Sequence, residues 1–385
     1  MQFTKQYPIR ILHVVGGMNQ GGIETWLMHI LRHIDRDRFH IDFLVHTTQS
    51  CAYDDEIRSL GSQIIPCLHP SQPWLYAHNF KRILNKYGSY DIVHSHVHHF
   101  SGYVLRLAQQ AGVPVRIAHS HIDSSPLEAQ AIWYRRLYLT LMKSLIAHHA
   151  TLGLGCSQVA IVDLFGSAWK SDPRWQLLYY GIDLTPFQAS KTSIDVVDVR
   201  VKFGIPADAF VIGHVGRFHK QKNHQFLIEI FAEVVKREPQ AYLLLVGEGF
   251  LRPTIEQQVM QLGLGKQVIF VGRRFDVPRL MISAMDVFLL PSLSEGLPMV
   301  GIEAQAAGLP LILSDVITDE VHKIKPLIQK ISLSQPIKVW TDAVLAARNF
   351  KARITQTDSV AVLENSEFNI SYSIKTLTKT YVDKC

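Results

Sequence analysis

Short apolar runs alternate with amphipathic stretches over the first half of the chain. Runs at 9–15, 41–46, 63–67, 91–96, 115–121, 152–156 and 176–180 read as strands, with helical spacing at 23–34, 75–87, 103–111 and 132–149. Brief apolar strands separated by helices predict a parallel, doubly wound sheet. From Thr185 to Asp208 the periodicity loosens, and Pro, Ser, Thr and Asp gather there. The alternation then restarts, with strands at 210–216, 242–247, 268–272, 287–291 and 311–314 and helices at 223–238, 252–262, 277–284 and 299–307. In the first of these helices Phe226, Leu227, Ile230, Phe231, Val234 and Val235 share one face. Beyond Ser314 the pattern is less regular, although 370–382 reads as a terminal helix.

The pattern predicts an α/β chain of two Rossmann-like doubly wound domains. They span 1–185 and 209–365, joined by a linker at 186–208 and followed by a terminal segment at 366–385. Two such domains in tandem imply a ligand cleft between them. A length of 385 residues suits this, since each half can bury its own core. With 47% hydrophobic and 19% charged residues the chain is an ordered globular one. No apolar run approaches the roughly 20 residues that span a bilayer, and the first apolar run is a strand rather than a secretory leader. Cys51, Cys67, Cys156 and Cys385 are scattered without a C-x-x-C pair, which fits a reducing cytoplasm and argues against structural zinc. The net charge of +6 suits anionic partners. No basic run or nucleic-acid signature accompanies it, so nucleic acid is not an expected partner.

Chemistry gathers at the carboxyl ends of the strands. Glu295 and Glu303 stand eight positions apart in E-G-L-P-M-V-G-I-E, one on a Gly/Pro turn and one inside a helix. Carboxylates accept hydrogen bonds, so the pair suits a ligand rich in hydroxyls. Gly216-Arg217-Phe218-His219-Lys220-Gln221-Lys222 follows the first strand of the second domain, where Arg217 and Lys222 could meet phosphate. A solvated basic turn is the plainer alternative. Gly247-Glu248-Gly249 follows the next strand and would let a ligand approach the backbone.

In the first domain, Gly16-Gly17-Met18-Asn19-Gln20-Gly21-Gly22 leads from strand to helix. It is not G-x-G-x-x-G, and His46-Thr47 stands where a dinucleotide site would carry an acid, so a nicotinamide oxidoreductase loses support. Fifteen of nineteen histidines precede Asp183, including His94/His96 and His119/His121, which share strand faces as i, i+2 pairs. Metal is one reading of them, but no carboxylate or cysteine completes a ligand spacing. Contact with hydroxyls, or with a leaving group, is the other. The segment 133–149 sets Arg135, Arg136 and Lys143 among Trp133, Tyr134, Leu137 and Leu141. That is either an ordinary surface helix or a face for an anionic membrane.

With these motifs in view, the chain resembles the retaining glycosyltransferases of family 4, whose GT-B architecture faces two Rossmann-like domains across a cleft. The resemblance rests on S-E-G-L-P-M-V-G-I-E-A at 294–304, G-R-F-H-K-Q-K at 216–222, V-G-E-G at 246–249 and G-G-I-E at 21–24. R-I-A-H-S-H at 116–121 is similar to enzymes of capsule and exopolysaccharide biosynthesis. The resemblance implies a nucleotide-sugar donor, with a UDP-sugar expected, and a glycan or lipid-linked acceptor. It implies that Arg217 and Lys222 bind the donor diphosphate, that Glu303 holds the ribose, and that Glu295 contacts the transferred sugar. Gly296, Leu297, Pro298, Met299 and Val300 would line that sugar with backbone N–H groups. Gly21 and Gly22 would approach the donor or the acceptor from the opposite domain, and Gly216, Gly247 and Glu248 would also line the donor. His119, or His121 two residues on, would be the active-site histidine. No metal or cofactor is expected, because cationic side chains would neutralise the leaving diphosphate. The terminal helix would pack back on the first domain. The expected location is the cytoplasm or the inner face of the membrane. A nucleotide-sugar epimerase or hydrolase, or a silent nucleotide-sugar binder, would share this architecture.

Overall fold

A computed structural model describes residues 8–122, 124, 132–188, 193–349 and 354–385. The chain forms two compact units, Met1–Gly181 with Ile370–Cys385, and Ile182–Asn369.

Unit 1 is built on seven parallel strands: β1 (Ile9–Val15), β2 (Phe39–Val45), β3 (Ile64–Pro66), β4 (Ile92–Ser95), β5 (Val115–Ser120), β6 (Leu152–Gly155) and β7 (Trp175–Leu177). Their order is β3-β2-β1-β4-β5-β6-β7, so the winding reverses between β1 and β4. Helices cover both faces, which is why the central strands read as nearly continuous apolar runs. Leu12, Val14, Leu44, Val93 and Ala118 pack with Tyr76 and Phe80 in one such core layer. Polar residues break the apolar rule at several wholly buried strand positions, His13, Asp42, His94, Ser95, His119 and Ser120.

The helix Ile370–Lys384 belongs to unit 1. Its Ser373 Oγ accepts from Trp26 Nε1 at 3.1 Å, and its Tyr381 hydroxyl lies 2.8 Å from His94 Nδ1.

Unit 2 has six parallel strands: β8 (Phe210–Val215), β9 (Ala241–Val246), β10 (Val268–Gly272), β11 (Val287–Leu290), β12 (Leu311–Ser314) and β13 (Ile328–Ile331). The order β10-β9-β8-β11-β12-β13 reverses between β8 and β11. The helix His224–Arg237 buries Leu227, Ile230, Phe231 and Val234 in a core that includes Trp340.

The boundaries differ from those expected. The units divide at Gly181/Ile182 and at Asn369/Ile370. The expected linker at 186–208 contains a helix, Ser193–Lys202, that is part of unit 2. Arg200 anchors it: one guanidinium nitrogen donates to the carbonyls of Ala207 and Ala209 at 2.7 and 2.9 Å, another to Asp286 at 2.8 Å. The helix was hidden because Val197 and Val201 face solvent while an arginine is buried, which inverts the usual pattern. The irregular region beyond Ser314 also holds more structure than expected: β13, and the helices Ile337–Arg348 and Gln356–Glu364, the latter opened by a Thr355/Asp358 capping box. The short helices Asp54–Ser59 and Gln158–Phe165 were likewise not anticipated.

Candidate active site

In unit 2 the loops leaving β8 and β11 flank the reversal point, the place where a doubly wound sheet opens its carboxyl edge to ligands. They are laced together. Leu293 N–H donates to Gln221 O at 2.8 Å, Gln221 Nε2 donates to Ser294 O at 2.7 Å, and Asn223 Nδ2 donates to Pro291 O at 3.1 Å. Asn223 adopts a left-handed backbone, φ 55°, which asparagine tolerates better than most residues. This lacing brings Lys222 Nζ to 2.6 Å from Glu295 Oε1, which also accepts from Ser292 Oγ at 2.7 Å. Ser292 in turn is braced by Ser314, whose hydroxyl donates to its carbonyl at 2.6 Å. Sequence reading passed over Ser292, whose only signal was its place three residues before Glu295.

Arg217 differs from Lys222. It is exposed, and its guanidinium makes no hydrogen bond or ion pair among the described residues. One cation is therefore held in place and the other is available to an anion.

Gly247 has φ 140°, and a Cβ there would lie 2.1 Å from the carbonyl oxygen of Gly216. Only glycine fits, and the close approach draws the β8 and β9 loops together. Glu248 is turned to Arg252 in an ion pair, so its carboxylate is occupied by the first residue of the following helix, Arg252–Gln261.

Glu303 stands in the helix Met299–Ala306. Its carboxylate has no hydrogen bond or ion pair among the described residues, and burial pushes it up to about 7. Glu295 is paired, and Glu303 is not. In the preceding stretch Gly296, Leu297, Pro298 and Met299 are buried and Val300 partly so. Pro298 has no N–H to offer and instead caps the helix. His214, on β8, donates from Nδ1 to Leu289 O at 2.8 Å, and burial pulls it down to about 4, so it stays neutral near pH 7.

In unit 1, β1 opens through the Gly-rich loop into the helix Gly22–His33, with Gly21 as its N-cap. Open space surrounds the position a Cβ on Gly22 would take. The neighbouring strands carry the histidines. His94 and His96 have ring centroids 4.3 Å apart, and His119 and His121 4.2 Å, as the strand period requires. Two hydrogen-bonded chains link them. In one, His13 Nδ1 meets His96 Nε2 and His96 Nδ1 meets His121 Nε2, both at 2.8 Å, and His121 Nδ1 meets the Tyr180 hydroxyl. In the other, the Tyr381 hydroxyl meets His94 Nδ1 at 2.8 Å and His94 Nε2 meets His119 Nδ1 at 3.2 Å. Both nitrogens of His121 are engaged, whereas His119 Nε2 is buried without a partner among the described residues. Burial holds His94, His96, His119 and His121 well below the usual imidazole range, and His13 at about 3, so all are neutral near pH 7.

Three groups place ligand-type atoms within 4.8 Å of one another: His13/His94/His96, His96/His119/His121 and His98/His99/Asp163. The first two offer no carboxylate to offset a cation, and their nitrogens largely bond to each other. The third brings in Asp163, which no sequence spacing signalled. Its Oδ2 lies 3.2 Å from His98 Nε2 and accepts from Ser124 Oγ at 3.0 Å.

Comparison with known proteins adds a family. The model of glycosyl transferases group 1 matches residues 196–333, and that of the glycosyl transferase 4-like domain matches residues 21–161. EpsF of Bacillus subtilis (strain 168), a protein named as a glycosyltransferase, is 39% identical over 340 residues, 88% of this chain and 87% of that protein. CapH of Staphylococcus aureus, named as a capsular polysaccharide biosynthesis glycosyltransferase, is 24% identical over 385 residues, 98% of this chain and 99% of CapH. HepE of Anabaena, solved in complex with UDP and glucose, is similar in fold, with a TM-score of 0.81, 19% identity, and 97% and 100% of the two chains covered.

The Lys222–Glu295 pair yields a stability prediction. The two side chains are 17% and 7% exposed, so removing one partner strands a charge, at a cost of about 3 kcal/mol. Lys222→Met is expected to lower the urea midpoint of unfolding, and Lys222→Met/Glu295→Gln to recover most of the loss. A double variant no more stable than the single one would show that the pair is not coupled.

Proposed function

The chain belongs to the group 1 glycosyl transferases, and on that premise we propose that it moves a sugar, with retention, from a UDP-sugar to a glycan or lipid-linked acceptor in cell-surface polysaccharide biosynthesis. One observation carries the reading. At the β8/β11 reversal a held Lys222–Glu295 pair, and an Arg217 and a Glu303 that have no partner among the described residues, occupy the elements that bind a nucleotide ligand in such sheets. The UDP and glucose bound to HepE, and the capsule role in the name of CapH, agree with it. The epimerase, hydrolase and silent-binder readings find no support among the relatives.

The chemistry follows from the residues. Arg217, unpaired and forked, and Lys222 meet the diphosphate and stabilise the charge that builds as it departs. Lys222 then shares its charge between the diphosphate and Glu295, and Glu295 turns toward the hydroxyls of the transferred sugar. Glu303 accepts the two ribose hydroxyls. The acceptor attacks the anomeric carbon on the face the diphosphate leaves, through an oxocarbenium-like state. His119, with its unpartnered Nε2, is the active-site histidine, and His121, with both nitrogens engaged, is not. No metal is required, since the two cations supply the neutralising charge.

A membrane-facing surface accompanies this activity. The helix Trp133–His149 buries Leu139, Met142 and Ile146 but exposes Trp133, Tyr134, Leu137 and Leu141 beside Arg135. Such a face suits peripheral contact with anionic lipid, where a lipid-linked acceptor would be met from the cytoplasm. Among the described residues no helix is long and apolar enough to cross a membrane.

Arg217→Ala is expected to lower turnover of UDP-sugar by about 100-fold with the circular dichroism spectrum unchanged. Undiminished turnover would remove the reading.

Glu303 adds a pH signature. Ribose hydroxyls bind the carboxylate, and its pKa is about 7, so below that pH a proton must leave on binding. UDP-sugar affinity is therefore expected to be steady above about pH 8 and to fall by up to about tenfold per unit below 7. Glu303→Gln should bind weakly and flatten the profile. Calorimetry in chelator-treated buffer measures both this and metal independence, and a flat wild-type profile, or affinity that needs added metal, would contradict the assignment.

Trp133→Ser/Leu137→Ser is expected to abolish co-sedimentation with anionic vesicles at low salt. Wild-type protein that stays in the supernatant would remove the membrane contact.

A further inference from the structure

The Tyr381 hydroxyl, on the C-terminal helix of unit 1, is buried, and His94 Nδ1 at 2.8 Å is its only hydrogen-bond partner among the described residues. His94 Nε2 stands 3.2 Å from His119 Nδ1, with the two rings stacked and their planes 7° apart. His119 Nε2, at the end of this chain, is left over.

Counting protons along the chain fixes its direction. A buried phenol with one nitrogen partner is satisfied only by donating to it, because otherwise its own O–H is stranded. Burial raises Tyr381 well above the usual phenol range, so the proton is present. His94 Nδ1 is therefore an acceptor. A neutral imidazole carries one N–H, so that of His94 is on Nε2 and is donated to His119 Nδ1. The one proton of His119 then resides on Nε2. The reverse direction leaves two groups unpaired, the Tyr381 O–H and the His119 Nε2 lone pair, instead of one.

We propose that Tyr381 is a positioning residue: acting through His94, it fixes the tautomer of His119 so that Nε2 presents an N–H donor. This rests on the reading above that His119 meets the substrate. His119 then donates a hydrogen bond to an oxygen lone pair of the transferred sugar or acceptor, and it has no free lone pair with which to take a proton from an attacking hydroxyl. The second chain has no such direction. Tyr180 hydrogen-bonds the Cys156 thiol as well as His121, so its hydroxyl is satisfied either way round. The edge of one ring meets the face of the other between Trp26 and His119, centroids 5.3 Å apart, which holds the imidazole plane without supplying a competing acceptor nitrogen or oxygen.

The test is long-range proton–nitrogen correlation on full-length chain labelled with nitrogen-15 histidine at pH 7.5, with His119→Asn identifying the signals. His119 is expected to show a protonated, pyrrole-type Nε2 and a pyridine-type Nδ1. Tyr381→Phe removes the donor and should move Nε2 toward the pyridine type. It should lower kcat by about three- to tenfold, the worth of one neutral hydrogen bond, with KM for UDP-sugar little changed. His94→Gln, whose amide accepts at Oε1 and donates at Nε2, should retain the protonated Nε2. A pyridine-type Nε2 in the wild type overturns the proposal whether or not any variant folds, and so does a His119 spectrum that Tyr381→Phe leaves unaltered. The spectrum is independent of turnover. A protonated Nε2 together with full activity in His119→Asn would sink the substrate-facing role of His119 and leave the relay standing.

Discussion

A parallel sheet covered by helices on both faces leaves polar chemistry few places except its carboxyl edge. That constraint organises both units. In unit 2 the strands β8 and β11 are buried almost throughout, and Arg217, Lys222 and Glu295 stand on the loops beyond their ends. Because the winding reverses there, the two loops run to opposite sides and leave the opening between them. The backbone lacing from Gln221 and Asn223 sets how far they part.

Within that opening, the cost of burying charge sorts the two acids. Glu295 is buried and fully partnered, because Lys222 and Ser292 satisfy it. Glu303 has no such partner, and desolvation raises its carboxyl toward neutrality. The site thus stores one finished interaction and one unfinished one. In the proposed function, a ligand with vicinal hydroxyls completes the second and a diphosphate competes for the cation of the first. Similar residues eight positions apart come to do different work through their neighbours alone.

The sequence carried much of this and not all of it. Both sheets were legible because each strand is short, apolar and bounded by turns. The helix Ser193–Lys202 was not, because its buried anchor is Arg200, whose ties to Ala207, Ala209 and Asp286 follow from the fold and leave no trace in periodicity. In the site, the residue types at Arg217, Lys222, Glu295 and Glu303 were readable from motif and position. The pairing of Lys222 with Glu295 across 73 residues, and the absence of a partner for Glu303 among the described residues, were not. Motifs report which groups are present, while desolvation and pairing decide their charge.

The histidines show that limit most sharply. Strand period placed His94 with His96 and His119 with His121, and left the choice between the last two open. The difference between them is not in the strand. It comes from Tyr180 at the end of one chain and from Tyr381, 287 residues from His94, at the end of the other. Five neutral imidazoles buried together must share protons one per ring, so each hydrogen bond constrains the next. A phenol with a single partner sets the direction for its chain, and a phenol with two does not. The C-terminal helix therefore does more than cover the apolar face of unit 1. It delivers the one hydroxyl whose lack of an alternative decides which nitrogen of a distant histidine bears the proton.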